Sequence, residues 1–355
     1  MKIKVERRGE ISPKKRFVYL ILSLIIGFLI GGLIFLFKGI NPFYALQKIF
    51  VGSFGSIYGW KETITKAIPL MLCGIGLTLA FKGKFWNIGA DGQLLFGALL
   101  ATWIGLSLGK TYPAFVVLPL MFVGGFISGA FWGIIPAIMK VKLGINEVIT
   151  TLMLNYIAEQ FIQYLVYGPW KGKTQYGFPY TDNFSASATL PVIKGTRIHY
   201  PTLIIGIILA ILIYIFMMKT KAGYEIRVIG ENPEAAKYAG INFLKTTIIM
   251  MAISGGIAGL AGVGEVAGIH HHLTTPTQIS SGYGYTAIIV AWLARLNPLV
   301  VILSSIFFGG ILVGGDTIQT SMGLPFATIN IFNGLILISV ISINFFLEYK
   351  ISIKR

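Results

Sequence analysis

The sequence reads as an all-α integral membrane protein, a polytopic bundle of about ten transmembrane helices. Three features carry this reading. Hydrophobic residues make up 55% of the 355-residue chain and charged residues only 12%. That is about half the usual quarter, too few to cover a soluble fold of this size. Apolar runs long enough to cross a bilayer core, which takes about 20 helical residues, recur along the chain. The remaining charges are lopsided, with 29 Lys and Arg against 13 Asp and Glu. A net charge of +16 in a soluble protein would point to nucleic acid. With so little polar surface it points instead to basic loops on one side of a membrane. The lipid bilayer is the expected partner, and no nucleic acid is.

The spans are taken in order. Residues 17–37 are an uncharged apolar run. Lys14, Lys15 and Arg16 before it resemble the start of a signal peptide, but the run is too long and no small-residue cleavage site comes after it. It is therefore span 1, retained. Spans 2 to 5 cover 63–81, 90–108, 113–139 and 147–166. Spans 6 to 10 cover 200–218, 246–269, 283–296, 299–314 and 327–347. Residues 1–16 and 348–355 are then tails. Residues 17–347 form one transmembrane domain, with an outer loop at 167–199 and an inner loop at 219–245. With the N-terminus inside, twenty of the 29 basic residues lie on the inner side. This positive-inside bias places both termini in the cytoplasm. Spans 8 and 9 are short, and a re-entrant span 8 would reverse the orientation of spans 9 and 10.

Glycine is over-used, with 43 residues where about 7% is usual. Many lie four apart: Gly27 and Gly31; Gly125, Gly129 and Gly133; Gly255 and Gly259; Gly264 and Gly268; Gly310 and Gly314. That spacing puts them on one helix face, where backbones can approach closely. It fits plain tight packing, and it also fits a pathway whose helices shift. Spacing alone does not choose.

Enzyme chemistry finds no footing. Gly109-Lys110-Thr111 resembles the end of a phosphate loop, but position 104 is Ile where that loop needs Gly. His270, His271 and His272 are consecutive, so they diverge, and no Cys stands near to complete a metal site. Cys73 is alone, which excludes an internal disulfide or a cysteine cluster. Four histidines without a nucleophile elbow or paired carboxylates do not make a triad. The chain is expected to be non-catalytic and to carry no cofactor or metal.

Polar residues inside a membrane are costly and tend to line cavities. The candidates are Asn87, Asp91, Gln93, Asn146, Glu147, Asn155 and Glu265, with Asn330 and Asn333 in span 10. Asp91 and Glu147 sit near helix starts, where a carboxylate can simply complement the dipole. A lining that is polar but mostly uncharged suits a neutral, hydroxyl-rich solute better than an ion. Two stretches, 82–93 and 280–286, break the apolar pattern with Gly and polar residues. Interrupted segments in both halves are expected of transporters with repeated halves.

The inner loop carries a local signal of its own. Asn232 suits an N-cap, Pro233 the first helical position and Glu234 the first turn. Ala235, Ala236 and Ala239 favour helix, and Gly240 is placed to end it. The result is a helix of about two turns, roughly 10 Å long. It is either a bare connector or a docking element.

These stretches resemble a known family. Phe85-Trp86-Asn87-Ile88-Gly89-Ala90-Asp91-Gly92-Gln93 is similar to the NIGAEGQ motif of permease subunits of ATP-binding cassette (ABC) importers for ribose, nucleosides and branched-chain amino acids. Asp91 here replaces the commoner Glu. Residues 146–158 resemble the NEVISTLMLNYIA segment of the nucleoside branch, with Thr150 for Ser. Residues 230–240 match its GENPEAAKYAG segment, and 282–291 resemble the glycine-aromatic stretch before the last helices. The likeness runs from about 64 to 347. It implies an ABC importer permease fold, with possible broken or re-entrant helices. ATP would be bound and hydrolysed by a separate cytoplasmic protein with two fused ATPase domains. A solute-binding lipoprotein would deliver solute from outside, with the outer loop and its Trp170, Tyr176, Phe178 and Tyr180 facing it. A second, related permease would complete the pore. The short inner helix becomes the coupling element, with Glu231, Asn232, Pro233, Glu234, Ala235, Ala236, Lys237, Tyr238 and Gly240 as ATPase contacts. The implied solute is a nucleoside, a purine nucleoside such as guanosine first, with a simple sugar such as ribose as the alternative. A self-contained ion-driven carrier is the reading from a different class.

Overall fold

The computed structural model describes residues 2–7, 13–325 and 349–354, with 328, 331, 332, 334–336, 338, 339 and 342. Most of span 10, with Asn330 and Asn333, lies outside the described residues. The chain divides into two compact units, Met1–Thr63 with Gly310–Arg355, and Ile64–Gly309.

The first unit holds α1 (Pro13–Phe37), α2 (Pro42–Phe54), the start of α3 and the end of α13. Asn41 caps α2 by accepting the Phe43 N–H at 2.9 Å, and Pro42 fills its first position, where the absent N–H is no loss. The apolar parts of α1 and α2 meet at a bend of 115°. Rings of Phe28, Phe35, Phe50 and Phe332 pack at centroid distances of 5.4–6.0 Å. The terminal segments depart from the all-α expectation. Strand β1 (Lys2–Arg7) pairs antiparallel with β2 (Tyr349–Lys354), and the register sets Ile3 opposite Ile353 and Val5 opposite Ile351. Both segments alternate apolar and polar residues, a period of two that suits a strand.

The second unit is built on three helices: α4 (Ala90–Leu108), α5 (Ala114–Leu143) and α10 (Phe243–Gly264). The four-apart glycines form their seam. A Cβ on Gly129 would press on the carbonyl of Gly255 and stand 2.8 Å from Gly259 Cα, and one on Gly133 would stand 2.7 Å from Met251 O. Gly97 of α4 makes a similar approach to Gly259. Backbone therefore packs on backbone across α4, α5 and α10, as small residues allow. Around this core stand α3 (Ile57–Lys82), α6 (Glu147–Tyr167), α7 (Tyr200–Lys219), and the short α8 (Lys221–Glu231), α9 (Pro233–Tyr238), α11 (Pro276–Ser280) and α12 (Tyr283–Leu293). Helix α13 (Pro298–Met322) is shared by the two units. A π-helix, Glu265–His270, extends α10.

Among the described residues, six helices are long and apolar enough to cross a membrane, or seven if α1 and α2 count as one bent span. The described residues do not reach the expected ten, and span 10 lies mostly outside them. Span 5 is present as α6, with 21 residues, but it carries too much polarity to pass the same test. Span 8 is α12, whose 11 residues reach only about 16 Å. Span 9 is longer than expected, running on to Met322 as α13.

Candidate functional site

The two interrupted stretches, 82–93 and 280–286, meet in space. Gly284, in the first turn of α12, donates its N–H to the Asp91 carboxylate at 2.7 Å, and Ser280 also hydrogen-bonds that carboxylate. The approach leaves no room for a side chain at 284, where a Cβ would stand 2.7 Å from Asp91 Cα. Asp91 lies in the first turn of α4 and is buried. One carboxylate thus sits at the positive ends of two helices, α4 and α12, where a negative charge is stabilised.

Helix α6 joins the same network. Asn155 accepts the Gly92 N–H at 2.9 Å and donates to Ile88 O at 2.9 Å and Tyr285 Oη at 3.0 Å. Thr151 Oγ1 accepts the Ile88 N–H at 3.2 Å. Asn87 and Gln93 exchange two amide hydrogen bonds of 3.1 Å each, and Asn87 also donates to Ser254 Oγ on α10 at 3.2 Å. Asn87, Asp91, Gln93 and Asn155 are each at most 2% exposed. Four of the seven pathway candidates therefore form one buried network that ties α4, α6, α10 and α12 together. Buried polar groups with partners stabilise a unique arrangement, and the loss of one leaves the other expensive.

The other three candidates lie apart from it. Asn146 caps α6 by accepting the Val148 N–H at 2.8 Å. Glu147 pairs with Lys140 at the end of α5. Glu265 is buried in the π-helix, with its Oε2 3.9 Å from His270 Nε2. Inserted turns of this kind often mark functional sites. The outer-loop segment folds onto this region: Phe184 N–H reaches His271 O at 2.8 Å and Leu190 N–H reaches Ala267 O at 2.8 Å. His199, just before α7, is fully buried, and neither ring nitrogen has a hydrogen-bond partner among the described residues. Burial, with a smaller contribution from Arg197, pushes its pKa down to about 4.

The 219–245 stretch is more helical than the sequence reading made it. Thr220 caps α8 by accepting the Gly223 N–H at 3.0 Å. Its buried residues Gly223, Ile226, Ile229 and Gly230 fall at helical spacing, a signal that was available in the sequence. Gly230 packs directly on the carbonyl of Lys82 at the end of α3. Glu225 accepts a hydrogen bond from Thr246 of α10 at 3.2 Å. Helix α9 comes next. Asn232 Oδ1 accepts the N–H groups of Glu234 and Ala235 at 3.1 Å each, and Gly240 turns the chain with φ of 71°. Of the nine residues expected to contact an ATPase, eight are exposed and Ala236 is buried. Tyr238 is 91% exposed.

Residues 60–341 match the family described as branched-chain amino acid transport system / permease component. The chain is 33% identical to a glucose ABC transporter permease protein of Haloferax volcanii, over 94% of this chain and 89% of that one. It is 31% identical to a guanosine ABC transporter permease protein of Bacillus subtilis, over 91% and 92%. It is 32% identical to a nucleoside ABC transporter permease protein of Lactococcus lactis, over 92% and 91%.

Proposed function

The chain belongs to the branched-chain amino acid transport system / permease component family, and from that premise we propose that it is the transmembrane subunit of an ATP-driven nucleoside importer. A purine nucleoside such as guanosine is the favoured solute, carried across the cytoplasmic membrane by alternating access. A cytoplasmic tandem ATPase supplies the energy, an extracytoplasmic binding protein delivers the solute, and a second permease completes the pore. The observation that carries the ATP-driven reading is α9, a capped helix left exposed except at Ala236.

The geometry suggests how force enters the bundle. A push on α9 passes to α8, which is seated on the end of α3 through Gly230 and hydrogen-bonded to α10 through Glu225. Lys82 leads directly into the 82–93 stretch. That stretch holds α12 through Asp91 and α6 through Asn155. A small displacement at α9 therefore reaches the helices that surround the buried network.

The solute class rests on the relatives. Two of them are named for guanosine or nucleosides. The glucose permease of Haloferax volcanii favours a simple sugar as the second reading. Uptake of labelled guanosine by the assembled transporter, competed with unlabelled guanosine or ribose, separates the two. Competition by guanosine alone is expected, and competition by ribose alone refutes the nucleoside assignment.

A further inference from the structure

Helix α6 has two faces of opposite character. On one side Thr151, Asn155 and Ala158 are buried, and Asn155 is fixed by three hydrogen bonds. On the other, Tyr156, Gln160, Gln163 and Tyr167 are exposed. Successive residues rotate by about 100° on a helix, so these four share a narrow stripe turned away from Asn155. Glu159 lies half-buried at its edge. Ile157 and Phe161 form the adjoining apolar flank. Together with Tyr156 and Gln160 they line a shallow depression.

Such a stripe does not suit hydrocarbon. The 21 residues of α6 measure about 31 Å, the thickness of a bilayer core, and Tyr156, Glu159 and Gln160 fall in the middle third. Polar side chains at that depth turn toward a water-filled cavity or a protein partner. The buried network is a poor solute site in chemical terms, since the amide of Asn155 and the carboxylate of Asp91 already have protein partners. The amides of Gln160 and Gln163 offer donors and acceptors together, and Tyr156 adds a ring face and a hydroxyl. These groups suit an uncharged solute with several hydroxyls.

We infer that the Tyr156–Gln160–Gln163 stripe of α6 lines the aqueous path and hydrogen-bonds an uncharged, polyhydroxylated solute. The inference rests on the importer reading above and adds the surface that solute touches.

The test uses the complete transporter in membrane vesicles, with Cys73→Ala as the background. Tyr156→Cys, Gln160→Cys and Gln163→Cys are introduced singly, with Ile208→Cys on the exposed apolar face of α7 as the control. The readout is the rate of modification by a water-soluble, membrane-impermeant thiol reagent, with guanosine and ribose in separate arms. Modification of the three stripe positions is expected. Solute at ten times its half-saturating concentration slows it about tenfold, as occupancy requires, and the arm that protects identifies the solute. Ile208→Cys is expected to react with a lipid-soluble maleimide only. Gln160→Leu provides a second measure, with a raised KM for uptake. Stripe positions that stay unmodified, or react without protection in a transporter that takes up solute, overturn the inference. Cross-linking of those positions to a second permease would then mark the face as a subunit contact. A background transporter that takes up neither solute refutes the importer reading itself.

Discussion

Gly129→Ala adds one methyl group at the seam of α5 and α10. Its Cβ would stand 2.8 Å from Gly259 Cα and press closer still on the carbonyl of Gly255. Neither neighbour is the flexible end of a side chain, so the helices themselves must part. Ordinary contact begins near 3.4 Å, so the separation needed is at least about 0.6 Å, a gap that forfeits a quarter or more of the dispersion attraction along the seam. Overpacking of this kind costs about 1–3 kcal/mol. At about 2–4 °C per kcal/mol for a unit of this size, a cost of about 2 kcal/mol lowers the unfolding midpoint by about 4–8 °C. Gly105→Ala in α4 is the matched comparison. Its Cβ would come no closer than 3.3 Å to Met121 Cε and 3.4 Å to Ala188 Cβ, and Met is adaptable. Replacing Gly by Ala inside a helix gains up to about 1 kcal/mol, so this variant should equal or exceed the wild type. The assay is thermal unfolding of the purified chain in detergent, monitored with a thiol-reactive fluorogenic dye. Cys73 is the only cysteine in the chain and is fully buried, so the dye reports loss of the core. A Gly129→Ala midpoint equal to that of Gly105→Ala would refute the packing argument.

Three further outcomes rest on the same kinds of contact. Asp91→Ala orphans the buried Gly284 N–H and should destabilise by about 1–3 kcal/mol; Asp91→Asn keeps an acceptor and should lose less, and equal midpoints for the two would deny the carboxylate its role. His199 titrates near 6.5 when unfolded and near 4 when folded, so between those values the unfolded chain binds the extra proton and stability falls as pH drops. His199→Leu, of similar volume and with no ring nitrogen to bury, should flatten that acid limb in unfolding scans from about pH 7 to about pH 4; an unchanged limb would place its origin elsewhere. Asn232→Ala removes the cap of α9, a local loss of about 1 kcal/mol. Amide hydrogen exchange should then quicken at Glu234 and Ala235 while the α10 core stays protected, and unchanged exchange at those two residues would contradict the cap assignment.

Much of the bundle was legible because it depends on local pattern. Span 3 coincides with α4, since the apolar run that follows Gln93 is bounded by Gly109, and the break at Gly89 sets its start. The four-apart glycines pointed to close packing, and α5 and α10 do meet through them. The start of α9 was readable from Asn232-Pro233-Glu234, whose chemistry is complete within three residues. The features that stayed hidden depend on distant pairing. Asp91 and Gly284 are 193 residues apart, and no local rule joins a carboxylate to that amide. For the same reason Asn155 stood among candidates for contacting solute, although its polar atoms are held by Gly92, Ile88 and Tyr285. The α6 stripe was hidden too. Tyr156, Gln160 and Gln163 share a helix face by spacing, but spacing does not say which face the bundle buries. Pairing of the terminal segments was missed because six alternating residues at each end are too short to identify a strand without the partner.

The decisive measurement is uptake of labelled guanosine into proteoliposomes that contain this chain with its partner ATPase, a second permease and the binding protein. Wild-type vesicles should accumulate guanosine only when ATP is supplied. Asn232→Ala with Glu234→Ala should keep the complex assembled and its ATPase active, yet abolish most of the uptake. Accumulation driven by an ion gradient without ATP, or full uptake by the double variant, would contradict an ATPase acting through α9.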